Sequence, residues 1–498
     1  MPRASFDGVL GTNYVPTQDE RRWLGKLVES KEQELSFLND IIAPLLAKRV
    51  KLNDDILAYK ALLAPARRLL PELLKEVFTH SVNYYPPGQN RLVKKDAHLY
   101  RFAKPAVNEA PLVLGRICRH WRRIALSTST LWSTIDIPRH FNIGGLREWI
   151  SRAGSCNLSF GLFIEGRDID VLNFLASHQE RWSEVVLGMG NYDDMKRGRE
   201  FLAPLSPGFR SLQTLEIFTW RSSESEIPLA IGSAPNLRRL MVHNPSFIVT
   251  TLNNSPPLCL HEIDVGSRWW VSTTDLLTLL RLSTMVEVVR ANVQIKLERG
   301  KPHRDILTLP AVKHMEIILL NYGDQKFCVL ERLHAPALEY LSFRTTTRKA
   351  PPQIRSFIHR SHPPLKVLRV WGSDYLPSVD IMECLPFLPL LSILHLEDLK
   401  GQIDGLINAL TGPIPPSSDN LTGCLCPELK EIYLASTYIP PPDSESVINM
   451  ILSRSHFGKS RLAHVTVLSC PESEVLEDPR IIDCVANGLT FVGCKVNG

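Results

Sequence analysis

The chain has ten cysteines but no Cys-x-x-Cys, and its closest pair, Cys424 and Cys426, has no histidine near it at zinc-site spacing. His359-Arg-Ser-His362 stands alone, so no metal centre is expected. Scattered thiols of this kind fit free cysteines in a reducing compartment. There is no uninterrupted apolar run of about 18 residues, the minimum for a membrane-spanning helix. The first eleven residues lack the charged-then-apolar layout of a signal peptide. A cytoplasmic or nuclear location, without membrane association, is the expectation. Charge of one sign is also scarce: 57 Lys and Arg against 52 Asp and Glu leave a net +5 with no dense block. That balance gives no electrostatic footprint for nucleic acid. The one concentrated set, Arg116, Arg119, Arg122 and Arg123, reads as a solvated helix face.

Catalytic signatures are missing as well. Gly-x-Ser-x-Gly does not occur. Gly458-Lys459-Ser460 has Ser453 where a phosphate loop needs glycine, and Gly188-x-Gly190 lacks the third glycine of a dinucleotide site. His261-Glu262 has no second histidine four residues on from the first. The expectation is a non-enzyme with no cofactor.

What the sequence does contain is a ladder. Its 498 residues, 44% hydrophobic and 22% charged, suit a folded chain of several domains or one elongated array. From residue 212 the pattern apolar-x-x-apolar-x-apolar recurs at Leu212-Leu215-Ile217, Leu237-Leu240-Val242, Leu260-Ile263-Val265 and Val286-Val289-Ala291. It continues at Val312-Met315-Ile317, Leu338-Leu341-Phe343, Leu365-Leu368-Val370, Leu391-Leu394-Leu396, Leu429-Ile432-Leu434 and Leu462-Val465-Val467. Trp182-Val185-Leu187 is a candidate earlier rung. The first eight leading positions recur every 23 to 27 residues, the size class of one strand plus one helix. Pro235, Pro310, Pro336, Pro389 and Pro427 each stand two residues before a leading position, where proline ends a helix and starts an extended segment. Short helical stretches are expected between rungs, at 274–282, 353–360 and 445–453.

Alternation in a strand sends every second side chain to the face opposite the core. That concave face would carry Arg239, Glu262, Arg290, Glu316, Tyr340, Arg344, Arg369, Trp371, His395 and Tyr433, the candidate target-binding residues. Glu216, Phe218, His243, Asp264 and Glu397 would share it, and Trp371 would be an exposed anchor. Mixed charge with aromatics suits a protein partner.

Residues 1–16 read as disordered, and 17–62 as a heptad-patterned, coiled-coil-like helix. Leu24, Val28, Lys31, Leu35, Leu38, Ile42, Leu45, Arg49, Leu52, Ile56 and Tyr59 alternate four and three apart. Thr17 and Glu20 form a candidate capping box, and Pro44 should kink or break the helix. The seam could serve self-association or fold back on later helices; Lys31, Arg49 and Pro44 favour folding back.

The segment from Pro65 to Phe78 contains two apolar rows, Leu69, Leu73, Val77 and Leu70, Leu74, Phe78, with Pro71 and Glu72 at a helix start. In the segment from Ala110 to Trp132, Leu114, Ile117, Trp121, Ile124 and Ala125 fall on one helical face. The order Arg68-Leu69-x-Pro71-Glu72-Leu73-Leu74-x-Glu76-Val77-Phe78, then Cys118-Arg119-x-Trp121-Arg122-x-Ile124-Ala125-Leu126, then Leu131-Trp132, resembles the F-box. Two features depart from the usual pattern: Leu69-Leu70 stands in place of Leu-Pro, and a polar insert, 81–109, reads as a loop. Long inserts and a preceding helix are familiar in a fungal F-box-like group. The resemblance implies a three-helix F-box at 65–137. It would dock on the Skp adaptor of a cullin–RING ubiquitin ligase through Leu69, Leu70, Pro71, Glu72, Leu73, Leu74, Val77, Phe78, Leu112, Leu114, Ile117, Trp121, Ile124, Leu131 and Trp132. The expected fold is α/β: an N-terminal helix, the F-box, and a leucine-rich-repeat-like solenoid over 145–498. The implied role is a substrate receptor for an unknown target protein; the alternative is a non-catalytic repeat scaffold without ligase function.

Overall fold

The computed structural model describes residues 6–63, 65–82, 102–164, 169–190, 192–203, 208–219, 227–230, 234–243, 247–250, 258–265, 270–295, 305–321, 329–345, 354–400, 403–412, 425–435, 442–456 and 462–494. The chain divides into two compact units, Met1–Val77 and Phe78–Gly498.

In the first unit, helix α1 (Gln18–Leu63) runs for 46 residues. The capping box forms: the Thr17 backbone N–H donates to Glu20 Oε2 at 2.8 Å, and the Glu20 N–H to Thr17 Oγ1 at 3.4 Å. Pro44 sits inside α1 without breaking it, because long helical flanks carry the helix past one missing donor. The expected disorder of residues 1–16 does not extend to 6–16. Phe6 is buried and stacks on Trp23 at 5.5 Å, and the Tyr14 hydroxyl donates to Glu20 Oε2 at 3.0 Å. Along the heptad seam Val28, Leu35, Leu38, Ile42, Leu45, Leu52, Ile56 and Tyr59 are all exposed.

The second unit is built on a 15-stranded sheet in which sequential rungs pair side by side and parallel. The chain is thus α/β. One row of the register joins Leu215, Leu240, Ile263, Val289, Met315, Leu341, Leu368, Leu394, Ile432 and Val465, the second position of every rung in the repeat. All ten are buried, as are the ten leading residues from Leu212 to Leu462. The Trp182 rung joins the row through Val185, opposite Leu215. Helices Thr273–Leu282, Ile354–Ser361 and Ser444–His456 lie where the sequence places helical stretches and bury Leu276, Phe357, Val447 and their neighbours.

Three rungs lie outside the repeat pattern: Thr134–Ile137, Leu158–Phe163 and Thr490–Cys494. Ile135 and Phe160 continue the buried row at one end and Phe491 at the other. The sheet therefore begins at Thr134, before residue 145 and inside the segment assigned to the F-box. Trp132 explains the shift: Trp132-x-x-Ile135-x-Ile137 is itself a rung, and the Trp132 ring meets Trp149 edge-on at 4.9 Å. The rungs stay in register through the backbone. One backbone carbonyl per rung accepts two N–H groups from the next. The Glu339 carbonyl takes Lys366 at 2.7 Å and Val367 at 3.1 Å, and Lys366 takes Ser392 and Ile393 at 2.8 and 3.0 Å. The same pair recurs at every step from Gln213 to Lys430. Backbone groups do this with any side chain.

Gly188 has a packing role. A Cβ there would stand 2.5 Å from the Phe163 ring and 2.9 Å from Phe218, two rings that lie 6.3 Å apart across it. Phe102 completes that apolar cluster with Val186. Phe102 belongs to the segment 81–109 that reads as a loop; 83–101 lies outside the described residues, but the end of the segment is fixed in the core. The Phe102 N–H donates to Asp136 Oδ2 at 2.9 Å, and the Asp136 N–H to the Ala103 carbonyl at 2.8 Å.

Candidate functional site

Two surfaces bear on function. The first is on helix α2 (Pro71–Ser81). Pro71 opens it, as the first-turn tolerance for proline dictates. Within the helix its two apolar rows diverge: Leu74 and Phe78 are fully buried, whereas Leu73 and Val77 are 52% and 51% exposed; Leu70, just before the helix, is 62% exposed. Leu69, Pro71 and Glu72 are exposed too. A helix apolar on both sides satisfies one side within the chain and leaves the other to solvent.

In the second unit the face expected over 114–125 is interrupted. Helix α3 (Leu114–Ile117) stops at Cys118, which is extended (φ −159°, ψ 167°), and α4 (Arg119–Ser127) starts anew. The Cys118 Sγ accepts the Trp121 N–H at 3.4 Å, a helix cap made by a thiol. The break turns Ile117 outward, 56% exposed, while Leu114, Ile124 and Ala125 stay buried. The Trp121 ring, half-buried, lies 4.9 Å from Phe78, and the Trp132 indole N–H donates to the Ala125 carbonyl at 2.9 Å. Of the residues implied as adaptor contacts, Leu74, Phe78, Leu114, Ile124, Leu131 and Trp132 are therefore core. Leu69, Leu70, Pro71, Glu72, Leu73, Val77 and Ile117 present surface, and Leu112 and Trp121 are half-buried.

The second surface is the sheet face opposite the buried row. All ten candidate target-binding residues fall on three adjacent rows of it. Arg290, Glu316, Arg369, His395 and Tyr433 share one row; Arg239, Glu262 and Tyr340 lie in the row before it, and Arg344 and Trp371 in the row after. Towards the amino-terminal rungs this face is closed by Phe102, Phe163 and Phe218, and Glu216 there is buried. Its middle is a charge ladder. Arg290 Nη1 donates to Glu262 Oε1 at 2.5 Å; Arg290 Nε lies 3.8 Å from Glu316 Oε1, and Arg239 Nε 4.0 Å from Glu262 Oε2. Burial pushes the Asp264 carboxyl above its usual range, opposed by His243 and Arg290.

The carboxy-terminal end of this face is aromatic. His314 stacks on Tyr340, the residue opposite it, at 4.0 Å, and His395 on Tyr433, its own opposite, at 3.9 Å. Each imidazole also meets the glutamate two residues on: His314 Nε2 to Glu316 at 2.6 Å, His395 Nε2 to Glu397 at 2.8 Å. The sequence carries this device as His-x-Glu twice, with a tyrosine in register on the following rung. Trp371 is half-buried, its ring 5.4 Å from His395, so it is less free than an exposed anchor would be. Arg369 lies 5.9 Å from the Tyr340 ring, and its Nε is buried without a hydrogen-bond partner. No family model matches this chain, and no curated protein matches it.

The hydrogen bond with His314 is the main cause that holds Glu316 below the usual carboxylate range. A depressed acid stabilises the fold above its unfolded pKa, and the contribution is lost as pH falls through the folded value. A Glu316→Gln variant therefore unfolds at lower denaturant than wild type at pH 7, and the two midpoints converge as pH falls through the lowered value of the folded carboxyl.

Among the described residues no group of three or more His, Cys, Asp or Glu is placed to hold a metal ion. No described helix is long and apolar enough to cross a membrane.

Proposed function

We propose that the chain is a substrate-recruiting F-box subunit of an SCF-type cullin–RING ubiquitin ligase. The outer face of α2 docks on the Skp adaptor, and the open face of the sheet takes a target protein. The observation that carries this reading is the two-sided helix: Leu70, Leu73 and Val77 stand in solvent on a segment whose sequence resembles the F-box, while Leu74 and Phe78 hold it to its own chain. Apolar burial of that face supplies the affinity. The three-row charged and aromatic face supports the target site. The chemical contribution is proximity: the receptor raises the effective concentration of a target lysine near a thioester carried by other subunits.

The test is co-purification of the full chain with the Skp adaptor, beside a Leu73→Asp/Val77→Asp variant checked for folding by circular dichroism. Both positions are exposed, so the fold should survive. The expected result is a stable wild-type complex weakened at least 100-fold in the variant. A wild-type chain that does not bind, or a variant that binds as well, overturns the reading.

A further inference from the structure

Helix α1 has a surface that nothing among the described residues covers. Its seam residues Leu35, Leu38, Ile42 and Leu45 are 58%, 47%, 47% and 59% exposed, and the seam repeats over five heptads. A heptad seam is filled by knobs from a helix running alongside for a comparable length. At 1.5 Å per residue α1 is about 69 Å long. The next longest helix among the described residues, Ser444–His456, has 13 residues. Among the described helices, only α1 of a second copy matches the seam. Pro44 falls outside the seam, two positions from Ile42 and one from Leu45 on the outer side of the helical wheel, and does not obstruct it.

Charge decides the direction. In a parallel pair each seam residue faces itself, which sets Arg49 against Arg49 and Lys31 against Lys31. An antiparallel pair centred between Ala43 and Pro44 sets Ile42 opposite Leu45, Leu35 opposite Leu52 and Leu38 opposite Arg49. Lys31 then lies opposite Ile56, about one residue from Asp55 of the other copy. Lys31 already holds Glu34 at 2.8 Å on its own helix, so it would stand between two carboxylates. The same centre superimposes the apolar bands of the two helices, where Ile41 and Leu46 widen the seam. We propose that α1 is a dimerisation helix, pairing two copies of this chain antiparallel about residues 43 and 44. Overlap from residue 24 to residue 63 spans about 60 Å.

The test is sedimentation equilibrium of the full chain. Wild type is expected to be a dimer at micromolar concentration, and Leu38→Asp/Leu45→Asp a monomer with its sheet intact by hydrogen exchange. Lys31→Glu should weaken the dimer at least tenfold, and adding Asp55→Lys should restore it. The charge swap leaves the apolar seam residues unchanged, so it reports pairing even if the Asp variant loses helix. A monomeric wild type, or a dimer that persists in Leu38→Asp/Leu45→Asp, overturns the proposal. Failure of Asp55→Lys to restore the Lys31→Glu variant overturns the antiparallel register. A seam variant that stays monomeric like wild type but loses the Skp adaptor assigns the helix to the adaptor and also overturns it.

Discussion

Trp182→Ala is expected to lose about 4 kcal/mol of stability, the range for deleting a fully enclosed large aromatic. Trp182 has no exposed surface. Its ring meets Phe201 at 4.9 Å, Phe160 at 5.2 Å and Phe209 at 5.5 Å, and its indole N–H donates to the Leu175 carbonyl at 3.1 Å. Alanine would remove the packing of three rings and one of the two hydrogen bonds to that carbonyl, which keeps the His178 N–H at 2.9 Å, so the cavity dominates the cost. In a stacked array each rung leans on its neighbours, and the damage spreads first to the adjacent strands. Hydrogen exchange should show lost protection at Leu158–Phe163 and Thr214–Thr219, the neighbouring strands, before the carboxy-terminal rungs respond. A denaturation midpoint within error of wild type would contradict the role assigned to this cluster.

Arg454→Met is expected to cost about 3 kcal/mol, because it removes three hydrogen bonds that a buried cation now donates to backbone carbonyls. Arg454 is 3% exposed. Its Nε donates to the Leu410 carbonyl at 2.7 Å, Nη1 to Cys426 at 3.1 Å and Nη2 to Leu425 at 2.7 Å. It thus ties helix Ser444–His456 to the ends of two earlier segments. Arg360 serves similarly at an earlier rung, donating to Leu330 and Leu333, and Arg181 does so at Cys156. The control is Arg480→Met. Arg480 makes shorter-range ion pairs, to Glu445 and Asp478 at 2.7 and 2.8 Å, yet it is solvated. Water replaces what it loses, and its midpoint should hardly move. Equal effects of the two substitutions in urea unfolding would refute the argument that burial, not the count of bonds, sets the cost.

Period and alternation are legible in the chain as written. Every rung from Leu212 to Leu462 forms a strand, and every second position goes to the core, since a side chain in a strand has only two directions. For the same reason the ten candidate target residues share one face. Two of the rungs outside the ladder lack the leading apolar residue: Asn157 stands before Phe160 and Gly488 before Phe491, so the template fails although the pairing does not; the third, led by Trp132, fits it. The interruption at Cys118 is hidden because Leu114 to Ala125 keeps a helical period across it, and only the extended backbone of one residue breaks the face.

The F-box-like segment shows where sequence runs out. Its apolar positions are readable, but which of them meet solvent is not. Leu73 and Leu74 are the same residue type one position apart, and only the packing of Phe78 and its neighbours sends one in and leaves the other out. The long helix is the converse case. Its heptads and capping box are in the sequence; that its seam lies open was decided by the tertiary structure. By itself the sequence determined the α/β repeat and the strand register, because these follow from local periods and backbone preferences. Tertiary structure alone decided which apolar faces are spent on the core and which remain for partners, because burial is a property of what lies opposite, and no local pattern carries it.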